Sequence, residues 1–289
     1  MKAELLVDCR CTLGEGPVWD EGRKHLWWLD IEEAKLHQYI PDSNEHIVHK
    51  LPEKAGSFAF REQGGFVMAG ERGWSFYDAE EQRWQPIADP EPHLPRNRFN
   101  DGKCDSAGRF YAGTASLDNR AEGALYVLQP DLRWERLADG IVCSNGITWS
   151  ADGTVMYYID SYTRRIDRLD VDVTTGRVSN RRTLIRVEED GVLPDGMTSD
   201  EEGMLWVAEW GGWKVSRWNP AAGERLMFVE VPAAFVTSCT FGGEQMDELF
   251  ITTAASGLTA EERERQPLAG GVFRAKVGVK GQPFSRFKG

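Results

Sequence analysis

No stretch of this sequence approaches the ~18 consecutive apolar residues that a membrane-spanning helix needs. No Cys-x-x-Cys pair occurs among its cysteines, Cys9, Cys11, Cys104, Cys143 and Cys239. An odd number of thiols without that pairing argues against both a disulfide framework and a structural zinc site. Basic residues are also in short supply: 34 Lys and Arg stand against 46 Asp and Glu, for a net charge of −12. A field of that sign repels phosphate backbones and anionic bilayers, so neither nucleic acid nor membrane is expected as a partner. The N-terminus, MKAELLVDCRCTLGEG, carries Glu4 and Asp8 where a secretory signal needs an unbroken apolar core. These features point to a reducing, cytoplasmic setting. Helical periodicity is scarce throughout.

What the chain does have is repetition. The clearest unit is DGKCDSAGRFYAGT, Asp101 to Thr114, echoed in NGITWSADGTVMYYIDS, Asn145 to Ser161, and in DGMTSDEEGMLWVAEW, Asp195 to Trp210. Fainter copies run from Glu15 to Ile31, Gly56 to Asp78 and Ser238 to Ala254. Each reads as a polar residue and glycine, a short strand, an acidic or Ala-Gly turn, and an alternating apolar strand, which is a hairpin signature. Two further strands follow, as in GALYVLQPDLRWERL and KVSRWNPAAGERLMFVEV. Unit starts near Gly16, Ser57, Gly102, Gly146, Gly196 and Phe241 are spaced by about 41 to 50 residues, the period of four-stranded propeller blades. The expectation is an all-β, six-bladed β-propeller over 1–289 as a single domain, six blades needing about 270 residues. The spare N-terminal segment, Glu4 to Asp8, is expected to complete the last blade and remove its exposed edge. A β-sandwich or two small β domains is the alternative, against which the regular repetition weighs. LTAEERERQPLAG, Leu258 to Gly270, reads as a solvated loop or a single helical turn.

In a propeller the innermost strands line a central channel, so equivalent positions converge. Four units begin with an oxygen-bearing side chain before glycine: Glu15-Gly16, Asp101-Gly102, Asn145-Gly146 and Asp195-Gly196. Pro194-Asp195-Gly196 is also ordinary turn chemistry, but the repeat places Asp195 in a ring with the others. Carboxylates confined together raise one another's pKa, and desolvation adds to this. They share a proton, gain a basic neighbour or hold a cation. The donors are hard oxygens, suited to Ca²⁺, Mg²⁺ or Mn²⁺, with Zn²⁺ and Fe²⁺ also accommodated. The histidines, His25, His37, His46, His49 and His93, lie outside the repeated motif and read as solvent-exposed strand or loop residues. No GxSxG elbow or HExxH helix occurs. Cys104 and Cys143 read as small buried strand residues. Trp19, Trp149 and Trp206 read as core between blades. Trp210, Trp213 and Tyr162 are candidates for the channel wall, although core packing suits the two tryptophans better.

The segments LGEGPVWD (Leu13 to Asp20), RFNDGKCDSAGRFYAGT (Arg98 to Thr114), GALYVL, SNGITWS (Ser144 to Ser150), YYIDS, LPDGM (Leu193 to Met197) and FGG (Phe241 to Gly243) occur in this order across almost the whole chain. Together they resemble the senescence marker protein (regucalcin)/gluconolactonase/luciferin-regenerating-enzyme-like family of six-bladed propellers. The resemblance implies one divalent metal ion held by Glu15, Asn145 and Asp195. It implies substrate contacts from Arg98 and Asn100. A further acidic contact of the family falls past the AGT strand, where Asp118 stands, one methylene shorter than the Glu of that pattern. Asp101 is either a substrate or outer ligand, or an Asx turn before Gly102.

The reaction that the resemblance implies is hydrolysis of a sugar lactone to its aldonic acid, with Asp195 as general base or acid and Arg98 near the developing oxyanion. Two alternatives stand beside it. One is a related propeller hydrolase acting on phosphoesters or other lactones. The other is a non-catalytic calcium-binding propeller. A closed ring needs no partner surface, so a monomer with a small-molecule partner is expected.

Overall fold

The alternating apolar strands of the sequence pair into antiparallel sheets that follow one another along the chain. A computed structural model describes residues 1–289. The first sheet runs Gly14–Asp20, His25–Asp30, Lys35–Ile40 and Glu45–Lys50, in chain order from inside to outside. The second is Ala55–Phe60, Phe66–Gly70, Gly73–Asp78 and Arg83–Ala88. The third is Asn97–Cys104, Phe110–Ser116, Gly123–Leu128 and Trp134–Ile141, and the fourth is Ser144–Trp149, Val155–Asp160, Arg165–Val171 and Val178–Arg186. The remaining strands form an eight-stranded sheet. It contains a meander of Leu193–Ser199, Leu205–Trp210, Lys214–Asn219 and Glu224–Glu230, and a second of Phe235–Gly242, Glu248–Ala254 and Val272–Lys276. The two meanders are joined by one pairing, Trp210 with Phe235. The expected all-β architecture is found, and its four-stranded antiparallel sheets are consistent with a propeller.

The N-terminal strand, Glu4–Val7, pairs antiparallel with Val272–Lys276, as its apolar character suggested. It covers the edge of the last meander with the first residues of the chain. The charged stretch before it folds into a short helix, Ala260–Arg265, with a capping box between Thr259 and Glu262.

The inner faces between sheets are filled by large apolar side chains. Trp27 and Leu29 of the first sheet meet Phe58, Phe66 and Met68 of the second. Trp74 of the second meets Phe99 and Phe110 of the third, and Tyr111 of the third meets Trp149 and Met156 of the fourth. Ile159 and Ile166 then meet Leu205 and Val207, and Trp206 meets Phe241 and Phe273. The circuit returns to its start where Phe250, Val272 and Val7 pack on Trp19, Leu26 and Trp28. Trp19, Trp149 and Trp206 are thus core, as expected.

Turns between the first and second strands are tied by a recurring buried aspartate. Asp105 accepts from the Arg109 guanidinium at 2.6 Å and from Tyr111. Asp200, fully buried, accepts from the amides of Glu202 and Met204, from Trp206 Nε1 at 2.9 Å and from Arg217 Nε at 2.8 Å. Asp20 accepts from Arg286 at 2.8 Å.

The C-terminal tail uses these same turns as footholds. Its Gly281 bridges Asp200, its Phe287 bridges Arg61, and Lys288 N donates to Gly108 O. No helix is long and apolar enough to cross a membrane.

Replacing Asp200 by Ala leaves Arg217 and the indole N–H of Trp206 without their buried acceptor. Unfolding by denaturant is expected to show a loss of about 3 kcal/mol; a loss below ~1 kcal/mol would mean that Glu202 alone suffices for Arg217.

Candidate active site

Every innermost strand slips register near its N-terminal end. The slips lie between Glu15 and Val18, Ala55 and Ser57, Phe99 and Gly102, Asn145 and Ile147, Pro194 and Met197, and Val236 and Ser238. A bulge of this kind breaks the strict alternation of faces and re-aims a side chain. It occurs at the repeated oxygen-glycine pairs. Pro194-Asp195-Gly196 is therefore not a turn between elements; it lies within the strand Leu193–Ser199.

Gly16 is required by its left-handed backbone, φ +53°, while the glycines of the other inner strands are required by crowding. A Cβ on Gly146 would lie 2.7 Å from Asp195 O, and one on Gly56 would lie 2.3 Å from Phe99 O. Adjacent inner strands approach closely at these points, and only glycine admits the neighbour.

The slips bring Glu15, Asp101 and Asp195 into one electrostatic group, all inside the ring. Glu15 and Asp195 are 6% and 5% exposed. Burial, then the charge of Asp101, pushes the Glu15 carboxyl up to about 8, against a lowering by the Gly16 amide and Arg98. Burial pushes Asp195 well above the usual carboxylate range, and Glu15 and Asp101 push it further. Burial also raises Asp101, opposed by Lys103. Asp195 Oδ1 is buried with no hydrogen-bond partner at all. Such an atom is costly unless something fills the space before it.

A hydrogen-bonded chain runs beside these carboxylates through three neighbouring inner strands. Arg98 Nη1 donates to Asn100 Oδ1 at 2.8 Å and to Phe99 O at 2.9 Å. Asn100 Nδ2 donates to Ser144 O at 2.8 Å and to Asn145 Oδ1 at 3.2 Å. Asn145 Nδ2 donates to Ser161 Oγ at 2.9 Å, and Ser161 Oγ donates to Pro194 O at 2.7 Å. The two asparagine amides are thereby held with defined orientations. Arg98 has Nε and Nη2 left without a partner in the chain.

Of the residues expected from sequence, Glu15, Arg98, Asn100, Asp101, Asn145 and Asp195 gather here. Asp118 does not join the buried group. It sits in the loop after Phe110–Ser116, with its side chain 39% exposed, and accepts from Arg96 Nη2 at 3.0 Å. Next to it Asn119 accepts from the Tyr162 hydroxyl at 2.8 Å, which puts exposed Tyr162 on the same rim. Trp210 stacks on Phe235 with centroids 4.2 Å apart, and Trp213 is exposed.

Sequence reasoning missed three residues of this region. Ser161, in the 3-10 turn Ser161–Thr163, links Asn145 to the Asp195 strand. Cys143 places its sulfur 3.8 Å from Asn145 Nδ2 and 3.9 Å from Asn100 Nδ2. Lys103 crosses the channel to donate to Met197 O at 2.8 Å. Its position two residues after Asp101, on the inner strand, was the available signal. On the outer strands, His37 departs from expectation: it is 3% exposed and stacked on Trp28, not solvated.

Comparison with known proteins places this geometry in context. The family model described as SMP-30/Gluconolactonase/LRE-like region matches residues 13–255. Regucalcin of Danio rerio is 40% identical over 287 residues, covering 98% of this chain and 97% of its own. A luciferin-regenerating enzyme superposes with a TM-score of 0.92 at 33% identity, with 99% of each chain covered. A calcium-binding protein, regucalcin from Agrobacterium tumefaciens, superposes with a TM-score of 0.94 at 28% identity, covering 100% of this chain and 97% of its own.

The carboxylates give a pH signature with a definite sign. Glu15 binds its proton more tightly when folded, at about 8 against the usual 4.5. The associated stability is fully present below 4.5 and is lost as the pH rises through 8. Chelator-treated protein is therefore expected to melt several degrees lower above about pH 8 than near pH 5. Glu15→Gln is expected to flatten that fall, as read by calorimetry across the range.

Proposed function

The chain belongs to the SMP-30/gluconolactonase/LRE-like family, and on that premise we propose that it is a divalent-metal-dependent hydrolase that opens a sugar lactone to its aldonic acid. The observation that carries this reading is the unpartnered, buried Asp195 Oδ1, set among like charges and beside Arg98 and Asn100. Three carboxylates repelling one another in a dry site are stabilised by a cation. Glu15, Asn145 and Asp195 offer hard oxygen donors from three separate inner strands, a set that fits Ca²⁺, Mn²⁺, Mg²⁺, Fe²⁺ or Zn²⁺. Architecturally, we count the eight-stranded sheet as two blades joined at Trp210 and Phe235, which gives six blades in one domain, 1–289, acting as a monomer.

When bound, the ion supplies Lewis acidity toward the lactone carbonyl and makes nearby water more acidic. The chain's own residues divide the remaining work. Asp195 accepts the proton of the attacking water and returns it to the ring oxygen as the ester bond breaks. Arg98 directs its unpaired N–H groups at the oxyanion of the tetrahedral stage, with Nη1 already fixed by Asn100 and Phe99. Asn100 holds the Asn145 amide in register, and Asp101 accepts a sugar hydroxyl. Asp118, on the rim with its partner Arg96, meets the far end of the sugar.

Two other readings draw on the same site. A structural calcium site follows from the Agrobacterium relative being called a calcium-binding protein. A hydrolase of phosphoesters or other lactones would reuse the metal and Asp195. The guanidinium beside the carboxylates favours the lactonase over the purely structural ion, which has no use for it.

The test is acid release from a panel of γ- and δ-aldonolactones, before and after chelation and with metal added back, corrected for spontaneous opening. Metal-dependent release identifies the sugar and the ion; none with any pair sinks the reading. Asp195→Asn is expected to lower kcat by about 10²-fold or more while leaving the fold intact. Glu15→Gln shifts the metal titration to higher concentration. Arg98→Ala reduces kcat/KM for the lactone more than it weakens metal binding, and the opposite order would reverse the two assignments.

A further inference from the structure

At the seam where the circuit of sheets closes, a second group of ligating side chains lies apart from the oxygen site. Cys9 and Cys11 stand between the N-terminal strand and the first innermost strand. Their sulfurs are 3.4 Å apart, with the Cys11 thiol donating to Cys9 and the Cys9 thiol donating to Gly270 O at 3.1 Å. His37 Nε2 lies 4.0 Å from Cys11 Sγ. The Asp30 carboxylate belongs to the same group, with one donor atom each from Cys11, Asp30 and His37 mutually within 4.8 Å.

Around a tetrahedral zinc-class ion two thiolate sulfurs stand about 3.8 Å apart, and a sulfur and an imidazole nitrogen about 3.5 Å. The Cys9–Cys11 and Cys11–His37 separations fall on either side of those values; Cys9, which lies outside the tight group of Cys11, Asp30 and His37, completes the site by turning its half-buried thiol toward it. Burial and the neighbouring His46 hold the His37 imidazole neutral, the form that ligates. His37 Nδ1 lies 2.9 Å from His46 Nε2, and with Nδ1–H donating there the Nε2 lone pair is left facing Cys11. A second ring holding a ligand histidine in one tautomer is the usual support for a metal-bound imidazole. Trp28 stacks on both imidazoles, at 5.1 and 5.2 Å. Its Nε1–H is wholly buried and has no partner, yet it lies where it favours the thiolate of either cysteine. A donor in that state is satisfied when a negatively charged sulfur stands before it.

We propose that Cys9, Cys11 and His37 form a second metal site, for a soft, zinc-class divalent cation, that clasps the N-terminal closing strand to the first sheet. Binding displaces the two thiol protons to solvent, and the doubly charged ion with two thiolates and a neutral imidazole is electrically neutral, as burial demands. Asp30 or water takes the fourth position. Asp30 already accepts from the amides of Thr12 and Leu13 at 2.9 and 3.1 Å, which fixes the backbone next to Cys11. The site is independent of the oxygen cluster and does not rest on the lactonase reading.

The experiment titrates the full chain, stripped of metal and kept reduced, with Cd²⁺ alone and follows sulfur-to-metal charge-transfer absorption and melting temperature. One Cd²⁺ per chain is expected to produce the band, release two protons and raise the melting temperature by several degrees. Cys9→Ser and His37→Gln are each expected to weaken binding tenfold or more, and Cys9→Ser/Cys11→Ser to abolish the band. Glu15→Gln, at the oxygen site, is expected to retain it. Cys9 is only half-buried, so Cys9→Ser reads the site even where Cys11→Ser does not fold. No band in the wild type overturns the proposal. So does a band that survives in Cys9→Ser/Cys11→Ser and disappears in Cys143→Ser, since that sulfur lies at the oxygen site.

Discussion

A slip of register on each innermost strand is the constraint from which the rest of the site follows. A regular strand would send Glu15, Asn145 and Asp195 and their successors to alternate faces. The slips instead present these side chains together near the axis, with a glycine beside most of them so that the next strand can approach. Close approach then fixes the hydrogen-bonded series from Arg98 through Asn100, Asn145 and Ser161 to Pro194 O. The same closeness crowds the carboxylates, and their raised proton affinity is the electrostatic result. Geometry and charge in this site are two consequences of one backbone irregularity.

The ring tolerates that strain because the layers outside it are well packed and well tied. Between the sheets, tryptophan and phenylalanine fill the space from Trp27 round to Trp28. At the far turns, Asp20, Asp105 and Asp200 bind backbone amides and a guanidinium, so three of the first hairpins are closed by an ion pair to a buried aspartate. Ordinary stability is thus supplied at one end of the inner strands, and mutually repelling carboxylates gather at the other.

Much of this was legible in the sequence because the repeated pair of oxygen and glycine records a steric need as well as a chemical one. Gly146 and Gly196 mark close approach, and the residue before each is re-aimed; both facts leave a trace at a fixed period. The blade-like hairpins and the closing role of Glu4–Val7 were legible for the same reason, since alternation and turn chemistry are local. What depends on contacts between distant segments was not. His37 looked solvated, because nothing local announces that Trp28 and His46 cover it. Cys9 and Cys11 escaped because one intervening residue is not the usual metal spacing, and their third partner is on another strand. Asp118 was named through the family resemblance, and its pairing with Arg96 was not legible because it depends on the course of a loop. The tail beyond Val277 carried no repeat and gave no signal of where it docks.

That tail has a consequence for traffic through the molecule. It bonds to the turns of Glu21, Glu62, Gly108 and Glu201, all at the end of the inner strands opposite Glu15 and Asp195. Its Phe284 ring lies 5.9 Å from the ammonium of Lys103, which spans the axis to Met197 O. The channel is therefore a well and not a tunnel. Anything that reaches the carboxylates arrives past the rim of Tyr162 and Asp118 and must depart the same way, so a spent occupant stands in the path of its successor.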